Sequence, residues 1–374
     1  MPGSIVKRGK NSWSVILDLG RDPVTGKRRQ LWRSVKGPKR DAQVVLTQLL
    51  HQRDTGVDAP PGKTTVGEFL QLWLQTYAAP NTAPKTYERY EQLMRVHVVP
   101  LLGNIPLSKL RPLHIQGVYQ RVREMGRSAR TALHCHRVLK QALGHALKWQ
   151  LLARNPAEAV DPPRPERHEM PSFTSDEVRR LLSAADQTPH GPLVYVAVMT
   201  GLRMGELLGL RWRDVDLDAG RISVRQTCQW LPKRGFIFRQ PKTYRSARPV
   251  SVADRVVERL RRQRLMQAEE RLAAGSAYDN NDLVFANAVG KPIHPNRLRE
   301  AWARIGVQAG LRLRFHDLRH IHASLLLQQG VHPKVVSERL GHSTVAVTLD
   351  IYSHVVPSLQ VEAASQLEEL LANG

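Results

Sequence analysis

Cysteine is nearly absent: Cys135 and Cys228 are the only two in 374 residues. A disulfide framework is therefore excluded, and a reducing compartment is expected. No apolar run is long enough to cross a bilayer, and Met1 to Lys10 lacks the apolar stretch of a signal peptide. The expectation is a soluble, cytoplasmic protein with no membrane partner. Acidic residues are the most telling shortage. Only 33 Asp and Glu stand against 56 Lys and Arg, a formal net charge of +23. Such an excess points to a polyanion, nucleic acid first, over a merely basic surface. Arginine outnumbers lysine, which suits forked contacts to phosphate.

Two proline clusters punctuate the chain: Asp58-Ala59-Pro60-Pro61-Gly62 and Asp161-Pro162-Pro163-Arg164-Pro165. Proline cannot continue a helix, so both read as stiff linkers. They predict three domains, at 1–58, 64–160 and 170–374. In the first, β-prone runs at Trp13–Leu17 and Gln30–Val35 and turn signals near Gly9 and Asp22 predict three short strands. A helix follows, with Ala42, Val45, Leu46 and Leu49 on one face. Residues 1–40 carry eleven basic side chains against two acidic ones. Lys7, Arg8, Lys10, Arg28, Arg29 and Arg33 are the candidate DNA contacts here, with Trp13 and Trp32 as anchors of the sheet.

Residues 64–160 predict about four helices, near 66–77, 84–98, 112–125 and 128–150, with Pro100 and Gly103 marking a turn. Thr65 and Glu68 fit a capping box. Lys85, Arg89, Arg130, Arg137 and Lys140 are candidate DNA contacts. His134 and His136 lie two apart, face different ways on a helix, and read as ordinary positions. The last domain is mainly helical with a β-rich insert over about 221–250.

The chemistry gathers in that last domain. Breaking a phosphodiester needs a nucleophile, fixed cations for the extra negative charge, and an acid for the leaving oxygen. Arg203 sits in an otherwise apolar run from Val194 to Leu208, where a charge needs a partner or a task. Glu206, one turn on, is placed to hold its guanidinium. His316 and Arg319 are three apart and share a helix face. Gly341 precedes His342, and Tyr352 follows ten residues later. One straight helix would separate them by ~15 Å, so a bend must bring both to one phosphate. Lys242 lies between two predicted strands, at what reads as a hairpin tip, with Lys233 and Arg245 as competitors. His316 and His320 at i,i+4 raise a zinc reading, but no glutamate follows His316 and no carboxylate or cysteine cluster accompanies them. No metal is expected.

In this order, Arg203 within Thr200–Glu206, Lys242, His316-Asp317-Leu318-Arg319-His320, Leu340-Gly341-His342 and Tyr352 resemble the tyrosine recombinase (phage integrase) family. The resemblance covers the chain from about residue 64 to the end. It implies a multidomain, mainly α protein: a three-stranded sheet plus helix that binds arm-type DNA, a helical SAM-like core-binding domain, and a mixed, mainly α catalytic domain. It implies a site-specific recombinase that uses neither metal, ATP nor any other cofactor. Tyr352 would be the nucleophile, Lys242 the general acid, and Arg203, His316, Arg319 and His342 the phosphate site, with Glu206 in support. It further implies a homotetramer on two synapsed double-stranded sites, helped by an excisionase and a DNA-bending host factor. A chromosome-dimer-resolving recombinase and a type IB topoisomerase share the chemistry but have no use for residues 1–58. A catalytically silent DNA-binding regulator would not need all six positions.

Overall fold

The computed structural model describes residues 3–21, 28–54, 64–166, 173–232, 234–241 and 247–352, with short helical pieces at 364–365, 368–369 and 371–372. The chain forms two compact units, Met1–His168 and Glu169–Gly374.

The first unit contains two separate apolar clusters. One lies beneath an antiparallel sheet, β1 (Gly3–Gly9), β2 (Ser12–Arg21) and β3 (Arg28–Lys36), in the order β1-β2-β3. Helix α1 (Lys39–Asp54) covers one face and buries Val15 and Leu17 against Ala42, Leu46 and Leu49. Alternation along the strands decides the rest. Trp32 pairs with Ile16 on the opposite face and is 51% exposed. It does not anchor the sheet as expected; only Trp13 is tied in, donating from Nε1 to the Gly37 carbonyl at 3.1 Å.

The other cluster belongs to an all-helical bundle. It comprises α2 (Val66–Trp73), α3 (Ala79–Asn81), α4 (Pro84–Leu93), α5 (Val99–Leu102), α6 (Pro112–Glu124) and α7 (Ala129–Lys148). Thr65 caps α2 in the predicted box with Glu68. Trp73 is fully buried and donates to His145 Nδ1 at 2.8 Å. Pro100 does not end the second helix, which continues to Leu102. A π-helical turn, Met94–Val98, comes immediately before it, and another, Leu74–Ala78, precedes Pro80 in the same way. The wider turn shifts the hydrogen-bond ladder before each proline, so the missing N–H and the ring are accommodated without a break.

The second unit is built on α8 (Ser175–Asp186), α9 (Gly191–Thr200), α10 (Met204–Leu208), α11 (Asp254–Ala274), α12 (Pro295–Gln308), α13 (Asp317–Gln328), α14 (Pro333–Leu340) and α15 (Val345–Tyr352). Helix α9 is apolar all round because the others enclose it: Leu193 through Val198 are all buried. The described strands of the β insert form two sheets. Strands β4 (Val215–Asp216), β5 (Arg221–Val224) and β8 (Arg248–Ser251) form the first, and β6 (Thr227–Leu231) with β7 (Gly235–Arg239) the second. The strands flanking Lys242 therefore do not pair with each other. Strand β7 pairs β6 and β8 pairs β5, so β7 and β8 are not the two arms of one hairpin. Lys242, with its neighbours Thr243 to Ser246 and its competitor Lys233, lies outside the described residues.

Candidate active site

The site is assembled at the C-terminal end of α14. A helix leaves its last carbonyls without partners, and its negative dipole end favours cations. Here three consecutive carbonyls each accept from a different arginine. Arg248 Nε donates to the Arg339 carbonyl at 2.6 Å, Arg319 Nη2 to that of Leu340, and Arg203 Nη2 to that of Gly341 at 3.4 Å. The three donors come from β8, α13 and the residue before α10, so one helix end gathers distant parts of the chain.

Each arginine is fixed in turn. Arg203 stands in extended geometry just before α10. Glu206, 2% exposed, accepts its backbone N–H at 2.9 Å and its Nη1 at 2.8 Å. Burial alone would push the Glu206 carboxyl up, but Arg248 and Arg203 together outweigh it and hold it below the usual carboxylate range. Losing one partner of such a buried pair costs about 3–5 kcal/mol. Arg319 is 3% exposed and also donates to the Gly201 carbonyl at 2.9 Å. Gly201 ends α9 at φ +65°, and a Cβ there would fall 2.5 Å from Leu340 and 2.8 Å from His322. Only glycine permits both that backbone and that approach. Arg203, whose side chain is 38% exposed, is the arginine of the three that reaches the surface.

The histidines stand around this charge. His316 precedes α13, held by two features: Trp302 donates to the Leu313 carbonyl at 2.8 Å, and Asp317 accepts from the Arg314 backbone and guanidinium. Though His316 is open at its edge, loss of water around the ring and then Arg319 and Arg203 lower its pKa. His320 packs edge-on against it, ring centres 5.3 Å apart. His342 follows Gly341, which takes the left-handed conformation that ends α14. Its Nδ1 pairs with Thr348 Oγ1 at 2.8 Å, tying the loop to α15. Burial, then Arg319 and Arg203, push His342 down to about 4, so the ring is neutral. Tyr352 ends α15, four residues after Thr348; its side chain lies outside the described residues. His342 lies in the turn between α14 and α15, so the stretch from it to Tyr352 is not one straight helix.

Three contributors escaped sequence reasoning: Arg248, Arg339 and His322. Arg339 donates to His322 Nε2 at 3.1 Å, Ser251 O at 2.8 Å and Met199 O at 3.1 Å. His322 in turn bonds the Val198 carbonyl through Nδ1 at 2.9 Å. Strand alternation was the signal for Arg248: if Val250 points inward, so does the residue two before it.

No group of three or more His, Cys, Asp or Glu able to hold a metal occurs among the described residues, and no described helix is long and apolar enough to cross a membrane. The candidate DNA contacts Lys7, Arg8, Lys10, Arg28, Arg33, Lys85, Arg89, Arg130, Arg137 and Lys140 are all exposed. Arg28 is engaged by Asp18, and Arg8 lies over the exposed Trp32 ring at 5.8 Å. The side chain of Arg29 is outside the described residues.

The buried His322 yields a pH prediction. Burial and then Arg339 push its pKa from 6.5 down to about 4. The unfolded chain takes up this proton near pH 6.5 and the native one only near 4. The stability contributed above pH 6.5 is thus lost as pH falls toward 4. Melting temperature should drop over that interval, and His322→Gln should flatten the fall between pH 6.5 and 5. An unchanged slope in the variant would contradict this.

Comparison with known proteins agrees with the geometry. Residues 171–358 match the phage integrase family, and residues 65–122 match the phage integrase N-terminal SAM-like domain. A protein of Caldanaerobacter subterraneus named tyrosine recombinase XerC-like is 30% identical, covering 98% of each chain. The ICEBs1 integrase of Bacillus subtilis is 26% identical over 98% of this chain and all of its own. Among solved structures, the Tn1549 transposon integrase in complex with transposon right end DNA superposes with TM-score 0.68 at 21% identity, covering 80% of this chain and 99% of that one. A lambda integrase tetramer bound to a Holliday junction gives 0.58 at 19% identity, covering 94% and 96%. The chain thus belongs to the phage integrase family and is a multidomain, mainly helical tyrosine recombinase, an enzyme that cuts and rejoins DNA at specific sites.

Proposed function

We propose that this recombinase integrates or excises phage or other mobile-element DNA, with Tyr352 as its nucleophile. The observation that carries the site assignment is the convergence of Arg203, Arg319 and Arg248 on one helix end beside His342, with burial and then Arg319 and Arg203 lowering both His342 and His316. A scissile phosphate would bind against this charge, held by Arg203 from the exposed side and by the charge of Arg319 from the floor. Thr348 donates to His342 Nδ1, which leaves Nε2–H for a phosphate oxygen. His316 accepts the tyrosine proton. Thr348 and Tyr352 stand four apart on α15, about one helical turn, a spacing that supports this role for Tyr352.

Attack by the Tyr352 oxygen on phosphorus breaks the bond to the 5′ oxygen, which Lys242 protonates. The products are a 3′-phosphotyrosyl link and a free 5′ hydroxyl, and a 5′ hydroxyl from the partner strand reverses the step. The number of phosphoester bonds is unchanged, so ATP is not required. Domains at 1–58, 64–160 and 170–374 serve arm binding, core binding and catalysis. The exposed basic residues named above contact double-stranded DNA. A homotetramer on synapsed sites, an excisionase and a DNA-bending host factor, and a place on the nucleoid in the bacterial cytoplasm complete this reading. The ICEBs1 and Tn1549 integrases among its relatives support a mobile-element role over chromosome-dimer resolution.

Tyr352→Phe removes one oxygen. It should leave core-site binding intact and abolish the denaturant-resistant adduct on a nicked core substrate; an adduct in the variant would assign the nucleophile elsewhere.

Lys242→Ala should cleave slowly because the 5′ oxygen leaves unprotonated. Replacing that oxygen with sulfur, which needs no proton, should restore its rate but not that of Arg203→Ala. Failure of rescue would assign the acid elsewhere, with Lys233 the next candidate.

Deleting residues 1–60 separates an arm-binding domain from a non-specific basic tail. Core-site cleavage should persist, while footprints on flanking sites and integration disappear. The salt slope of binding should fall by about 0.9 for every phosphate that the deletion leaves without its cationic partner. A uniform loss of affinity on every DNA would leave only the tail.

A further inference from the structure

We infer that Arg248 is a positioning residue for strand cleavage, setting Arg203 through Glu206 and His342 through the end of α14; this rests on placing Arg203 and His342 at the scissile phosphate. Arg248 opens β8 and its side chain is 6% exposed. Along that strand it alternates inward with Val250 while Pro249 and Ser251 face out. A guanidinium buried at a core position is costly unless charge and geometry are both matched.

Glu206 does not need Arg248 for a partner, because Arg203 already donates to both of its oxygens. The second arginine changes freedom rather than satisfaction. Arg248 Nη1 lies 3.4 Å from Oε1 and Nη2 lies 3.3 Å from Oε2. The carboxylate is thus held from two sides and cannot swing, so Arg203 is held at a fixed position at the surface. The third donor, Nε, reaches the Arg339 carbonyl at 2.6 Å, two residues before Gly341. The tie is reciprocal, since Arg339 Nη1 donates back to Ser251 of the same strand at 2.8 Å. Strand β8 and the end of α14 are therefore locked in register, and His342 leaves α14 from that locked end. The same strand receives the chain directly after the segment that carries Lys242.

The test uses the full-length protein in single-turnover cleavage of a nicked core site. Arg248→Gln should slow adduct formation about 100-fold, the scale of losing one transition-state donor. Core-site Kd should stay within about threefold, well below the effect of one mismatched base pair. Sulfur at the bridging position should not rescue it. In an Arg203→Lys background the same change should cost less than about threefold more, because residues acting as one unit are not additive. Glu206→Gln/Arg248→Met removes both buried charges and guards against a folding defect: melting temperature should recover and cleavage should not. The inference is overturned if Arg248→Gln cleaves at the wild-type rate, if its cost is fully additive with Arg203→Lys, if sulfur restores it, or if the double variant recovers cleavage along with stability. Failure of the underlying assignment looks different: Arg203→Ala would then cleave normally.

Discussion

Everything at this site depends on the unsatisfied carbonyl end of one short helix. The last turn of α14 needs hydrogen-bond donors and favours positive charge. Three arginines provide both, and each arrives from a different element. The arrangement solves two problems together. It ends a helix in the interior without orphaned carbonyls, and it concentrates cationic charge beside a loop that carries a neutral histidine. Without the arginines the helix end would lose these donors; without the helix end the arginines would lose acceptors that offset their mutual repulsion.

The histidines feel the same crowding. Burial and then the neighbouring guanidiniums push His342 down to about 4, so it is neutral at physiological pH, and His316 is lowered in the same direction. The guanidinium charge is assembled by the fold itself, through bonds to carbonyls and to Glu206. Glu206 keeps the cluster from being purely repulsive, and its complete burial means that it answers to the arginines and not to solvent.

Much of this was legible in the chain, and the exceptions have physical causes. The helical bundle follows from apolar periodicity and from Thr65 and Glu68 at its start. The order of Arg203, His316, Arg319, His342 and Tyr352 carried the family. Pro100 misled because a π turn before it is invisible to residue counting. Trp32 misled because a strand's alternation, not the size of its side chains, decides which ones are buried. The hairpin around Lys242 failed because strand pairing is non-local: β7 and β8 join different sheets. Arg248, Arg339 and His322 escaped because their partners are tens of residues away, and backbone carbonyls, which accept most of these bonds, leave no mark in a sequence.

The central claim is that these groups share one scissile phosphate. A crystal structure of the protein on its core site, with vanadate in place of that phosphate, tests it most directly. Arg203, His342 and the Tyr352 oxygen should lie within bonding distance of one vanadium centre, with Arg319 beneath it and the 5′ oxygen in line opposite Tyr352. Vanadate bound away from the end of α14, or met there by a nucleophile other than Tyr352, would contradict the account.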